Sequence, residues 1–323
     1  MTNFTFRPSA RENVHVIAGF IGGTGSGKTF SALRVATGLA AGKKFAVIDT
    51  EARRSLHYAD RFSFEHGDLT PPFTPERYLE AILAAEAAGF PVAVVDSMSH
   101  EHAGEGGLLD WQESELQRMA GEDASKRERV KFAAWIKPKM AHKKMLQRLL
   151  QLRMHLIFCF RAEPKMKPQK DDKGKIQFVD AGWLPVCAKG LEFELTVSFL
   201  LSHEHPGIYR IGGEPGYGQA IKLPEGLRPC FPEGKPIDES CGQRLAEWAR
   251  GGVPVEARAA PPTATLISES QAADLKSMLE EMKPRAREFF QWLKDETGAE
   301  RLTQIPLTAL KDVVAKLDTL RRS

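Results

Sequence analysis

The stretch VHVIAGFIGGTGSGKT (14–29) decides the fold. Its opening, VHVIAGFI (14–21), is an almost uninterrupted apolar run, the pattern of a strand buried on both faces. Gly22-Gly23-Thr24-Gly25-Ser26-Gly27-Lys28-Thr29 then satisfies G-x-x-x-x-G-K-[ST] in full. Behind it, Thr29–Ala41 reads as a helix with Ala, Leu and Val on one face and Gly42 as its stop. Glycines let consecutive backbone N–H groups turn inward around phosphate oxygens, and the helix N-terminus adds positive potential. In such a loop Lys28 reaches the β- and γ-phosphates and the Thr29 hydroxyl ligates Mg²⁺, so ATP with Mg²⁺ is the expected ligand.

Working outward, KFAVIDT (44–50), FPVAVVDS (90–97), HLIFCF (155–160) and LEFELTVSFLLS (191–202) read as four further buried strands. Pro75–Gly89 reads as a helix, and residues 125–153 as one or two basic helices interrupted at Pro138. Strands alternating with helices predict an α/β fold with a mainly parallel sheet covered by helices. Residues 1–12 form an N-terminal arm and 13–250 the core. GGVPVEARAAPPTAT (251–265) is aperiodic and rich in Gly, Pro and Ala, which predicts a linker. Residues 266–323 form a small helical module, opened by a capping box of Ser268 and Gln271. Its second helix, about Pro284–Thr297, carries Phe289, Phe290, Trp292 and Leu293, and a third begins at Pro306. Equal numbers of acidic and basic residues there, ten of each, favour protein docking over nucleic-acid binding.

The chain has 323 residues, 42% hydrophobic and 27% charged, which excludes global disorder and a collagen-like repeat. No apolar run approaches the roughly 18 residues of a membrane span. The first residues lack a basic-then-apolar leader, so a cytoplasmic location is expected. Cys159, Cys187, Cys230 and Cys241 show no metal-finger spacing and fit a reducing compartment. The net charge is only +3, yet Lys126–Lys175 holds 16 basic and 4 acidic residues, a local +12 that leaves −9 on the rest. A polyanion-binding segment in an acidic remainder follows.

Two strands end in acids at the edge where ligands bind. Asp96 follows VAVV, the pattern of an aspartate holding Mg²⁺, and Asp49 and Glu51 close FAVID. Ser97, which cannot act as a base, follows Asp96, so Glu51 is the expected group to orient and deprotonate the attacking water. AVIDTE (46–51) and VVDSMS (94–99) resemble the glutamate strand and Walker B strand of RecA-type recombinases, in the same order after the P-loop. The resemblance covers about 14–225 and implies a RecA-like P-loop NTPase core. VVDSMSHE, the basic segment and the short helical tail together resemble phage-encoded RecA-like ATPases of the single-strand annealing type. That resemblance implies a homo-oligomer, ring or filament, a bacterial host cytoplasm, and a single-stranded DNA-binding protein as partner of the tail. It also implies a γ-phosphate-sensing residue at the end of the fourth strand. Arg161 stands there, where the family commonly has glutamine.

After Arg161 comes AEPKMKPQKDDKGKIQFVDAGWLPVCAKG (162–190), where RecA-type proteins hold single-stranded DNA. Lys165, Lys167, Lys170, Lys173 and Lys175 would neutralise phosphates, and Phe178 and Trp183 would stack on bases. Lys126 to Lys144 would extend that surface. Ser99-His100-Glu101-His102 and Ser202-His203-Glu204-His205 repeat one tetrapeptide, and convergence of the two into a metal site is an alternative to a coincidental repeat of polar loop residues near the nucleotide or DNA. The sequence thus predicts a DNA-stimulated ATPase promoting annealing or strand pairing. A DNA motor or helicase loader, a small-molecule kinase and a non-hydrolysing DNA-coating protein are the alternatives.

Overall fold

The computed structural model describes residues 11–12, 14–170, 175–252, 266–280 and 285–322. The chain divides into two compact units, whose described residues fall within 11–252 and 266–322.

In the first unit, strands β2 (Ile17–Gly22), β3 (Phe45–Asp49), β4 (Phe64–Asp68), β5 (Val92–Asp96), the first part of β6 (His155–Lys170) and β8 (Val197–Leu201) form a parallel sheet ordered β4-β3-β5-β6-β2-β8. β10 (Gly218–Lys222) extends it antiparallel to β8, and β9 (Tyr209–Arg210) follows. This is the α/β architecture the apolar strand runs predict. β2, β3 and β5 are buried throughout. The two faces of the sheet feed two cores, one around Phe20, Leu33 and Phe199, the other around Ile82, Val95 and Phe158.

Helix α1 (Lys28–Ala40) covers the first face and α2 (Pro75–Ala87), capped by the Thr74 side chain, packs on the second. α3 (Ser99–Ala103) and α4 (Leu108–Ala120) follow β5. α5 (Ala124–Val130) and α6 (Ile136–Leu149) fill the basic stretch. Its break lies at 131–135, and Pro138 sits in the first turn of α6 rather than interrupting a helix, because a first-turn proline gives up only an amide without an intrahelical partner. The expected fifth strand is also shorter. Leu191–Glu194 forms a helical turn, α7, before β8, since the apolar alternation begins only at Val197. α8 (Glu239–Arg250) closes the unit against α1. Arg11–Glu12 (β1) pair antiparallel with Gly251–Gly252 (β11), which places the end of the arm and the first linker residues at a two-stranded ribbon.

The largest departure is at the basic segment. β6 does not end at Phe160 but continues to Lys170 and pairs antiparallel with β7 (Ile176–Pro185), so the basic segment after Arg161 is a hairpin. Alternating prolines and lysines hid this strand.

In the second unit, α9 (Glu269–Glu280), α10 (Ala286–Thr297) and α11 (Leu310–Arg322) enclose their own core of Leu275, Phe289, Leu293, Val313 and Leu317. The capping box is formed: Ser268 N–H donates to Gln271 Oε1 at 2.8 Å and Gln271 N–H to Ser268 Oγ at 3.2 Å. No helix among the described residues is long and apolar enough to cross a membrane.

Candidate functional site

β2 ends at Gly22 and α1 begins at Lys28, so the glycine loop is the strand-to-helix turn that the sequence predicts. Gly25 and Gly27 take φ values of 78° and 84°, which residues with a Cβ rarely adopt. Gly27 is the N-cap and no side chain caps the helix, leaving the first-turn N–H groups directed at the loop. Lys28 Nζ donates to Gly23 O at 2.8 Å, folding the ammonium over the loop.

Around this turn lies a cavity of about 450 Å³ lined by Gly22–Gly25, Lys28, Thr29, Glu51, Asp96 and Arg161. The strand order explains the convergence. β6 lies between β2 and β5, so Arg161, level with Gly22 across the ladder, stands between the loop and the acid strands. The Thr29 hydroxyl donates to Asp96 Oδ2 at 2.5 Å. Two hard oxygen donors side by side beside a phosphate cradle are a donor set that fits Mg²⁺. Burial pushes the Asp96 carboxyl up to about 6 despite the hydrogen bond from Thr29. The Asp96–Ser97 peptide is cis.

Glu51 is held from several sides. Asp49, wholly buried, accepts from Glu51 N–H at 2.7 Å, from Ser55 N–H at 2.8 Å and from Ser55 Oγ at 2.5 Å. Asp49 therefore organises the turn and Glu51 faces the cavity. Arg161 donates to both Glu51 oxygens, from Nε at 2.9 Å and from its terminal nitrogen at 2.7 Å. Arg54 stands at 3.6 Å and His100 Nε2 at 3.9 Å. Burial alone would raise the Glu51 carboxyl, but the Arg161 hydrogen bonds and the charges of Arg161, His100 and Arg54 bring it below its ordinary range. His100 is positioned by Thr50, whose hydroxyl lies 2.8 Å from His100 Nδ1.

The hairpin residues are not brought onto one surface. In the ladder Trp183 opposes Pro164 and Phe178 opposes Pro168, four residues apart on β6 and so on one face. The extra residue in β7 at the irregularity keeps these two aromatics together. Trp183 lies over the P-loop, where a Cβ on Gly23 would meet its ring at 3.3 Å. Phe178 is 67% exposed. Lys165 projects to the opposite face, toward α6. Lys175 lies at the start of the returning arm. Lys173 lies outside the described residues, as do the side chains of Lys167 and Lys170.

The two Ser-His-Glu-His segments do not form a metal centre: among the described residues no three His, Cys, Asp or Glu groups gather to hold an ion. The first segment is α3, where helical spacing sends His100 to Glu51 and Glu101 to His142. The second abuts the P-loop at His203, whose Cβ would lie 4.0 Å from a Cβ on Gly25, and two residues past the segment Gly207 N–H donates to Ser26 O at 3.1 Å. Arg54 was legible as part of the site only through its closeness to Glu51, and His100 only through the reading of its segment as polar residues near the nucleotide; the contacts each makes were not.

No family model matches the chain, and no curated protein matches it. Among solved structures it is similar to a KaiC-like protein from the hyperthermophilic archaeon Pyrococcus horikoshii, at 17% identity and a TM-score of 0.34, over 66% of this chain and 81% of that one. With so distant a likeness, the functional reading rests on this chain's own residues.

Proposed function

We propose that the chain is a Mg²⁺-dependent ATPase of RecA-like type that binds single-stranded DNA and promotes annealing or strand pairing in phage-type recombination. The observation that carries this reading is the single cavity in which the P-loop, Thr29, Asp96, Glu51 and Arg161 meet at the foot of the basic hairpin. The P-loop N–H groups and Lys28 bind the triphosphate. Thr29 and Asp96 hold Mg²⁺, which when bound offsets phosphate charge. Glu51 orients a water and accepts its proton once its oxygens are released. Arg161, now paired with Glu51, is placed to exchange that carboxylate for the γ-phosphate, so arrival of nucleotide and release of the base become one event. Trp183 against Gly23 supports coupling of hairpin and loop. Assembly into a ring or filament, and a single-stranded DNA-binding protein as partner of the second unit, belong to the same proposal.

The test is the steady-state ATPase rate with Mg²⁺, with and without single-stranded DNA, in the native chain and in Glu51→Gln. Stimulation that disappears in the variant supports the proposal. A rate indifferent to DNA would break the link and bring the small-molecule kinase forward.

A further inference from the structure

A second cavity, about 770 Å³, lies on the far side of the hairpin from the P-loop, between α6, the base of β6–β7 and the turn before α7. Its size falls within the usual range for a small-ligand site. Lys139 and Lys143 of α6, Lys165 of β6 and Lys189 surround it, against one carboxylate, Glu192. None of the four lysines is in an ion pair among the described residues; Lys139 lies over the Trp135 ring, 5.6 Å from its centroid. Below this cationic rim the wall is apolar, with Trp135, Leu146 and Leu184.

One polar feature of the wall lacks a partner. His142 is 5% exposed; its Nδ1 is tied to the wholly buried Glu101 at 2.8 Å, and its Nε2 meets nothing among the described residues. His102 Nδ1 is likewise unsatisfied at the cavity wall. Buried polar atoms are nearly always paired, and these two unpaired nitrogens belong to residues that line one cavity, where a ligand entering the wall would supply a partner. Cations at the mouth, an apolar aromatic wall and polar atoms on it match three parts of one molecule: a phosphate, a planar ring and the polar edge of that ring.

We propose that this cavity receives one nucleotide, its base inserted toward His142 beside Trp135 and its phosphate held by Lys143, Lys165 and Lys189. It rests on the reading of the chain as a single-strand binder and deepens it: the occupant is an unstacked nucleotide of the bound strand. The ladder supports this source, because Leu184 and Lys165 line the cavity while the neighbouring Trp183 lies over Gly23, so one hairpin faces both sites.

The experiment compares a labelled oligothymidylate with an abasic strand of equal length by fluorescence anisotropy, in the native chain and in Leu146→Trp, which sets an indole on the apolar wall where the base would lie without altering charge. A base held in the cavity gives the intact strand an advantage of about 5- to 150-fold. That advantage is expected to fall by the share of one base in Leu146→Trp, with stacking on Phe178 and Trp183 and abasic affinity persisting, and 5-iodouracil in the strand is expected to crosslink to Trp135 or His142. If Leu146→Trp does not fold, the crosslink decides, with Lys143→Glu expected to lower its yield. An unchanged advantage in Leu146→Trp, or crosslinks confined to Phe178 and Trp183, overturns the pocket and leaves strand binding intact. Should neither strand bind, the strand-binding reading falls, and thymidine monophosphate decides for the pocket: binding lost in Leu146→Trp supports a free nucleotide, and no binding overturns it.

Discussion

At the scale of single residues, the pairing of Glu51 with Arg161 dominates the site. The guanidinium is half exposed and meets both carboxylate oxygens of a nearly buried glutamate. Arg161→Gln is expected to lower turnover by about 10²-fold with little loss of ATP binding, as removal of a charge-stabilising donor does. Single-turnover rates beside a nucleotide-binding titration would check it. A rise in basal turnover would instead show that Arg161 restrains Glu51. His155 offers a test of a different kind. Burial, with the charge of His15 adding to it, lowers its pKa to about 4, and its Nδ1 accepts from Val16 N–H at 3.2 Å. A group with a depressed folded pKa keeps its full contribution above the unfolded value of about 6.5, and loses it as pH falls toward the folded one, because the unfolded chain takes up the proton first. The loss between pH 7 and 4 is expected to approach roughly 3 kcal/mol. His155→Asn, which retains an acceptor, should flatten the dependence of Tm on pH across that window. An equally steep profile would remove His155 from the account.

At the scale of elements, α1 carries the P-loop's helical end and is held by a close crossing with α8. A Cβ on Gly38 would lie 2.7 Å from Gln243 N and 2.9 Å from Gly242 Cα, and would collide with Glu239 O. Arg34 Nε, one turn earlier, bonds both oxygens of Glu239 at 2.9 Å. Glycine to alanine inside an exposed helix normally stabilises by about 1 kcal/mol. Here the sign reverses: Gly38→Ala is expected to destabilise by about 1–3 kcal/mol, because two backbones must separate. Urea unfolding would measure it, and a stabilised variant would show that the helices part freely. The same scale explains what was hard to read in the hairpin. Its strands alternate lysine with proline and aromatic with polar residues, a composition that signals turns, and only cross-strand pairing makes β6 continue past Phe160.

At the scale of the whole molecule, the two units have separate cores with no residue in common. A chain ending at Gly252 is expected to keep its fold and its nucleotide binding, since every residue lining the P-loop cavity lies before that point. Circular dichroism and a nucleotide titration of the truncated chain would test this, and loss of the fold would show that the second unit supports the first. Strand binding through the basic segment, with about six to ten phosphate contacts, predicts a fall in affinity of roughly 10³–10⁵ between 50 and 200 mM salt. A flat dependence would make the lysines a solvated face.

The sequence by itself determined the α/β sheet, the P-loop and the acids at its strand ends. Each is written in local pattern: apolar runs long enough for buried strands, a glycine spacing that only one turn uses, and an aspartate closing each of two strands. Tertiary structure alone decided which groups meet. Glu51 and Arg161 stand 110 positions apart and touch across β5, which separates β3 from β6 in the sheet, because the chain leaves β3 and passes Arg161 in β6 at the same edge. Likewise Glu101 and His142 become a buried pair, and Lys165 and Trp183 part to opposite faces of a hairpin. Local spacing governs backbone periodicity, but contact between distant residues depends on strand order and register, which no short pattern encodes.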